Sequence, residues 1–350
     1  MFRKGIVISC LLFSGWLLNA CSSGDSVPGD QAFIRGKINF PDRNVVYFCS
    51  YANEVDRAIG QKTTLDSAIT DAEGNYLLKT HWTKPDLFDL KNGSKDLVSN
   101  FFICPGDEVV LNFPDKQQHV KISGAGKSVS YCKFINALVD TFYNEPQTHH
   151  QYYIESNYYT PVYYGTFCDD RRSRKMEMFN HSFKEYEISS DFKNLMVSEI
   201  TYQSAVDRLM FSWKKRMKGE DNVIDSSYYD FLSPSLVENQ QALKSPSYLR
   251  FLNLYIKDKY ERLLETRKLG SDKSEPINAA VEKSRIAINE LSLPFRNVPL
   301  FNIIHDDMIS TGDKKGINTF SKTPGDSLLA RFFRKYPSIS SEKMNADQVR

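Results

Sequence analysis

The strongest constraint on the fold is a change of hydrophobic period near Gly126. Before it, apolar residues come in short β-branched and aromatic runs broken by turn clusters. After it, they recur every three to four residues over long stretches. Phe33–Ile38 and Val45–Tyr51 read as strands separated by the turn cluster Pro41-Asp42-Arg43-Asn44. Leu65–Lys79 reads as a hairpin turning at Asp71-Ala72-Glu73-Gly74-Asn75, with Gly74 able to take positive φ. Phe101–Cys104 and Val109–Phe113 flank a tight turn, Pro105-Gly106-Asp107, and Val120–Ser123 makes a last strand. Short strands at this spacing predict an antiparallel sandwich.

Beyond Gly126, Phe134, Ile135, Leu138 and Phe142 mark a first helix. Phe192, Leu195, Met196, Val206, Leu209, Met210 and Trp213 form one stripe, with Ser189-Ser190-Asp191 as cap candidates and Gly219 as a stop. Ser245-Pro246 opens the next helix, carrying Tyr248, Phe251, Leu252, Tyr255, Ile256, Leu263 and Leu264. Ile277, Val281, Ile288 and Leu291 mark a further one closed by Pro294, and 326–336 holds a short last helix. The expected class is α+β, an N-terminal antiparallel β-sandwich followed by an α-helical domain. The expected divisions are 1–20 as signal peptide, 21–30 as tether, 31–127 as sandwich, 128–337 as helical domain and 338–350 as a loose tail. Two separate cores are expected to meet near Gly126.

Composition excludes several classes. With 350 residues, 41% hydrophobic and 25% charged, the chain is neither disordered nor a multi-span membrane protein. Lys plus Arg is 45 against 43 for Asp plus Glu, and Arg3 and Lys4 account for the excess. A chain so balanced lacks the basic stripe that nucleic-acid binding needs.

The address is written at the start. Arg3 and Lys4 precede an apolar run of 13 residues, Ile6–Leu18, too short for the roughly 20 that span a bilayer. The run ends in Leu18-Asn19-Ala20-Cys21, which resembles a bacterial lipobox whose cysteine is acylated and becomes the new N-terminus. Acyl chains contribute about 0.8 kcal/mol per buried CH₂, so two or more hold a chain to lipid without a transmembrane helix. Membrane lipid through Cys21 is thus the first expected partner. Ser22 after the cysteine favours the outer membrane by the usual sorting logic.

Chemistry is sparse. Outside Cys10 and Cys21, the cysteines are Cys49, Cys104, Cys132 and Cys168, in a compartment that permits disulfides, with three possible pairings. None are spaced as CxxC, and none suit a zinc knuckle. Gly124-Ala125-Gly126-Lys127-Ser128 has the end of a phosphate loop but Lys121 where the motif needs glycine, so it reads as a strand-to-helix turn. Glu177, His181 and Glu185 share one face if helical and have the best metal-ligand spacing in the chain, although a solvated face is the commoner meaning. His149-His150 and His305-Asp306-Asp307 are adjacent residues that diverge on either regular structure. The tyrosine-rich stretch 143–164 offers large rings suited to a sugar or peptide; the preferred reading is that they fill the joint between sandwich and helices. No catalytic residue, cofactor or metal site is expected.

The runs LDSAITDAEGNYLLK, CPGDEVVLNF and ISGAGKS, followed by Phe134-Ile135-Asn136-Ala137-Leu138, resemble the N-terminal half of envelope lipoproteins with a C-terminal thioredoxin-like (AhpC/TSA-type) domain. SPSYLRFLNLYI, Ser245–Ile256, is similar to the helical segment of that group. The resemblance implies a small β-sandwich and helices ahead of a redox domain. No WCxxC motif occurs in these 350 residues, so no redox residue carries over. The expected function is a non-enzymatic, lipid-anchored envelope module that binds a ligand or protein partner. An accessory role in thiol–disulfide exchange and a glycan-binding lipoprotein are the alternatives.

Cys21→Ala is expected to release the protein from the membrane fraction or leave an uncleaved precursor. Intact-mass analysis of the wild type checks this, because an unmodified N-terminus would contradict acylation.

Overall fold

A computed structural model describes residues 27–40, 45–115, 120–144, 159–220, 224–269, 278–312 and Arg334. The signal peptide, Cys21, most of the tyrosine-rich stretch, the expected helix within 326–336 and the tail lie outside the described residues.

The N-terminal half forms two four-stranded sheets from β1 (Gln31–Lys37), β2 (Val45–Ser50), β3 (Thr63–Ile69), β4 (Asn75–His81), β5 (Asp86–Asn92), β6 (Lys95–Ile103), β7 (Glu108–Asn112) and β8 (Lys121–Ala125). Their orders are β4-β1-β7-β8 and β3-β2-β5-β6. All pairs are antiparallel except β1 with β7, which run parallel with Ile34 opposite Val109. Mixed α+β architecture is therefore as expected, with the strands ahead of every helix but the short one at Glu54–Ala58.

The turn at Asp71–Asn75 forms, but the strands it joins are not a hairpin. β3 pairs with β2 in one sheet and β4 with β1 in the other. The Asp71 carboxylate accepts the N–H groups of Glu73 (3.0 Å) and Asn75 (2.8 Å), making a corner that hands the chain across the sandwich. Gly74 takes φ 85°, and a Cβ there would overlap the carbonyl of Ile38.

The helices are α1 (Glu54–Ala58), α2 (Lys127–Val139), α3 (Pro161–Ser182), α4 (Ser190–Met217), α5 (Pro234–Val237), α6 (Pro246–Leu269), α7 (Ala279–Glu290) and α8 (Asn297–Ser310). Ser189 caps α4 by accepting the Phe192 N–H, and its own N–H donates to Tyr131 Oη at 2.9 Å. Gly219 ends that helix region at φ 71°.

The cores do not divide at Gly126. The sandwich core runs from Ile34, Phe48, Phe88 and Phe102 into Tyr131, Phe134 and Leu138 of α2, then Phe179, Phe183, Phe192, Leu195, Met196 and Ile200. A second core starts at Tyr202 and takes in Leu209, Tyr248, Phe251, Ile288, Leu300 and Ile304. The boundary thus falls within α4, whose 28 residues serve both cores and span roughly 42 Å. Aromatic rings account for this continuity, with Phe192 stacked on Tyr131 (3.9 Å between centroids, 14°) and tilted against Phe102 (5.3 Å). A second tie is α1, where Arg57 donates to the Lys244 carbonyl (2.5 Å) and to Asp86 (2.9 Å).

Phe192→Ala removes a ring that touches both sheet and helices. Its expected cost is about 3–5 kcal/mol, read as a lowered urea midpoint. Near-UV and far-UV signals are expected to fall together, since sandwich and helices share this ring; a sandwich that stays folded while helices melt would contradict the shared core.

Candidate functional site

Among the described residues, the expected motifs do not assemble into a site. The loop Gly124–Ser128 is the strand-to-helix turn expected. Asp107 fills the start of α2, accepting the Ser128 N–H (2.8 Å) and hydroxyl (2.6 Å), while Ser128 Oγ accepts the Cys104 N–H (2.7 Å). A Cβ at Gly126, φ 95°, would overlap the Asp107 carboxylate. An internal anion therefore occupies the place a phosphate would take.

Glu177 and His181 lie on α3, but that helix ends at Ser182 and Glu185 falls beyond it. Among the described residues no group of three His, Cys, Asp or Glu side chains is placed to hold a metal. His305, Asp306 and Asp307 lie near the end of α8. His149 and His150 lie outside the described residues. Of the tyrosines, Tyr163 is exposed and Tyr164 stacks on Phe211 of α4 at 4.3 Å. That packing lies within the helices and not at the joint with the sandwich.

Cys49, Cys104, Cys132 and Cys168 are all free. Burial pushes the Cys104 thiol up to about 11 and raises Cys132 and Cys168 further. Thiols so placed are poor nucleophiles.

The concave site lies elsewhere, at the seam of sandwich and helices. A cleft of about 310 Å³ opens between the β5 and β6 strands, α2, α3, α4 and the start of α6. Leu87, Ile135, Leu138, Leu195, Met196 and Ile200 form its apolar wall, and each is buried. Ser99, Asn100, Gln203, Ser247 and Arg250 make its polar rim. Asn100 is the one non-glycine residue with positive φ (58°) among the described residues, held there as its N–H donates to Asp89 (2.6 Å).

Lys175 reaches this cleft from α3 and is only 3% exposed. Tyr164, Cys168, Arg171, Lys175 and Phe179 are the buried stripe of that helix, so two bases occupy apolar positions. Burial, and then the neighbouring Arg171, bring the Lys175 ammonium down to about 7. Asp207 faces them from α4, 3.7 Å from Arg171, and accepts a bond from Gln203 (2.8 Å). Burial raises the Asp207 carboxyl in turn. Arg171 also donates to the Phe142 carbonyl (2.5 Å), and Lys175 stands over the Phe142 ring. Glu199 ties α4 to the first turn of α6 by accepting both Ser245 Oγ (2.6 Å) and Ser247 Oγ (2.7 Å), together with the Ser247 N–H (3.1 Å).

Sequence reading missed Lys175 because Arg171-Arg172-Ser173-Arg174-Lys175 looks like a solvated charge run. The available signal was the four-three-four spacing from Tyr164 through Cys168 and Arg171 to Lys175, continued at Phe179. Two larger clefts, about 540 and 470 Å³, lie among α5 to α8. Their titratable walls, such as Lys283, Asp306 and Glu290, are partly or fully exposed.

Residues 33–130 match the family model described as Domain of unknown function (DUF4369). The matched span runs from β1 into the first turn of α2 and so includes the Asp107–Ser128 link. No curated protein and no solved structure matches the chain.

A lysine that ionises near 7 when folded and near 10.4 when unfolded makes the folded state the weaker proton binder between those values. Its contribution to stability therefore rises with pH from about 7, by up to roughly 1.4 kcal/mol per unit. The raised thiols act oppositely above about pH 8.5, so the comparison of wild type with Lys175→Met isolates the lysine. The stability advantage of the variant over wild type is expected to be greater at pH 6 than at pH 8 by about 1.4 kcal/mol, measured by urea unfolding at each pH.

Proposed function

We propose that this chain is a non-enzymatic, lipid-anchored binding module of the cell envelope, held to the outer membrane through Cys21. Its ligand enters the cleft around Lys175. The observation that carries this reading is the cleft itself, an apolar hollow at the seam of two cores with a nearly buried lysine at its wall. Small-molecule sites combine an apolar lining with a few placed polar groups and perturbed titratable residues. No described helix is long and apolar enough to cross a membrane, and anchoring through Cys21 needs none.

The same proposal takes the chain as kin to the accessory front portion of thioredoxin-like (AhpC/TSA-type) envelope lipoproteins. Its support is that the turn and strand signatures carrying that resemblance fall mostly within residues 33–130. Free thiols, three of them raised by burial, favour ligand binding over thiol exchange for this portion.

The Met196 methyl lines the cleft and the Met308 methyl sits in the second core, which gives an internal control. In methyl NMR, titration with small-molecule extracts of the envelope is expected to shift Met196 and leave Met308 in place. Insulin reduction in dithiothreitol is expected to stay at background. A rate that vanishes when the four cysteines are changed to serine would replace the binding reading with a redox one.

A further inference from the structure

Two features of the cleft select among ligands, its charge balance and the residue at its polar edge. Arg171 and Lys175 on α3 face Glu199 and Asp207 on α4, two cations against two anions. Glu199 also accepts the Ser245 and Ser247 hydroxyls, and Asp207 accepts a bond from Gln203. Arg250 is exposed at the rim, where water and salt screen it. A ligand of either charge would upset this balance in a poorly hydrated place, and a buried charge in excess is costly.

Asn100 supplies the polar edge. Its backbone is left-handed (φ 58°), a conformation that glycine adopts freely and asparagine tolerates better than most residues. Asp89 holds it there by accepting the Asn100 N–H at 2.6 Å, and Lys62 in turn holds Asp89 at 2.8 Å. Asn100 lines the cleft half-buried, and neither its side-chain amide nor the Ser99 hydroxyl has a partner among the described residues. Gln203 and Ser247, by contrast, are engaged with Asp207 and Glu199. A residue fixed in a sparsely populated conformation, with its amide unpaired at the edge of a cavity, is placed to bind.

We propose that the cleft takes an uncharged molecule with an apolar body and one hydroxyl or amide group. The body lies against Leu87, Leu138 and Leu195, and the polar group bonds the side-chain amide of Asn100. The inference rests on the cleft being a ligand site, as proposed above. An asparagine amide donates through its nitrogen and accepts through its oxygen, so it answers a hydroxyl or an amide in either direction. A hydrocarbon would fill the walls and leave that amide cut off from water without a bond. A carboxylate or an ammonium would break the balance of the four charges. At about 310 Å³ the cleft is at the small end of ligand sites, matched to a chain of several carbons and not to a long lipid.

The test uses the chain from Ser22 to Arg350, which holds every described strand and helix, with octan-1-ol, octanoate and octylamine as probes. It is run at pH 6, where Lys175 is largely protonated. In methyl NMR, octan-1-ol is expected to shift Met196, leave Met308 in place, and bind about tenfold or more tighter than either ion. Asn100→Gly keeps a residue suited to the left-handed backbone, so the urea midpoint is expected to stay near that of wild type. The same variant is expected to weaken octan-1-ol by about two- to tenfold, the share of one hydrogen bond. Equal or tighter binding of octanoate or octylamine would overturn the uncharged ligand, and so would a shift of both methyls by octan-1-ol. An affinity for octan-1-ol that Asn100→Gly leaves unchanged would overturn the role of Asn100. If no probe binds and the envelope extracts also leave Met196 unmoved, both readings fall; if the extracts alone move it, the ligand site stands and this inference falls.

Discussion

The stack of Phe192 on Tyr131 is the contact on which the rest of the arrangement depends. It joins the first turn of the 28-residue helix α4 to α2, and α2 to β6 through Phe102. The Ser189 N–H, donated to Tyr131 Oη, fixes the start of the helix against the same ring. A helix nailed at one end to a sandwich has its direction set, and everything packed along its far half inherits that direction. Tyr202, Val206 and Leu209 then receive α6 through Tyr248, Phe251 and Leu252. The seam between sandwich and α6 is accordingly a rigid feature, spanned by α4 and clamped by Arg57 on α1. The cleft lies along this span, between the two clamps.

Much of this fold was legible where one interaction dominates. The long stripe from Phe192 to Trp213 is amphipathic, begins at a serine cap and stops at a glycine, and all three signals agree with α4. Legibility failed where burial is complete. Strand β5 is central, paired to β2 and β6, and carries Leu87, Phe88, Asp89, Leu90 and Asn92 all buried, so it shows no alternation. Register shifts against β6 at Phe88/Leu90 and Leu90/Lys91 disturb the period further. Helix α8 hid for a related reason, since its first half, Val298 to Phe301 with Ile303 and Ile304, is buried and almost wholly apolar, and most of its polar residues come only from His305 onward. At Asp71–Asn75 the local turn was legible and its partners were not. A turn states that the chain reverses, not which sheet receives it.

The Gly124–Ser128 turn shows how a motif fragment acquires another meaning from its surroundings. A helix N-terminus offers free N–H groups and a positive dipole end, and any nearby anion answers both. Here Pro105-Gly106-Asp107 delivers a carboxylate from the β6–β7 turn. Gly126 is needed to admit that carboxylate and not an external one. The Ser128 hydroxyl passes the interaction on to the Cys104 N–H, which stitches the end of β6 to the helix. The same residues that suggest a cradle for phosphate thus build the joint that orients α2, and through Tyr131 the whole of α4.

The cleft follows from a place where this packing logic is broken. A stripe of Tyr164, Cys168 and Phe179 would accept leucine at positions 171 and 175 and close around it. Replacing buried ion pairs by apolar residues of similar volume is often neutral or stabilising, so stability alone gives no reason for Arg171, Lys175 and Asp207. A lysine differs from leucine in one relevant way, which is that its terminal group has to meet a polar partner. Burial already strips Lys175 of most of its water and lowers its ammonium, and closure of Leu138, Leu195 and Ile200 onto it would deepen a desolvation penalty that a leucine at this position would not incur.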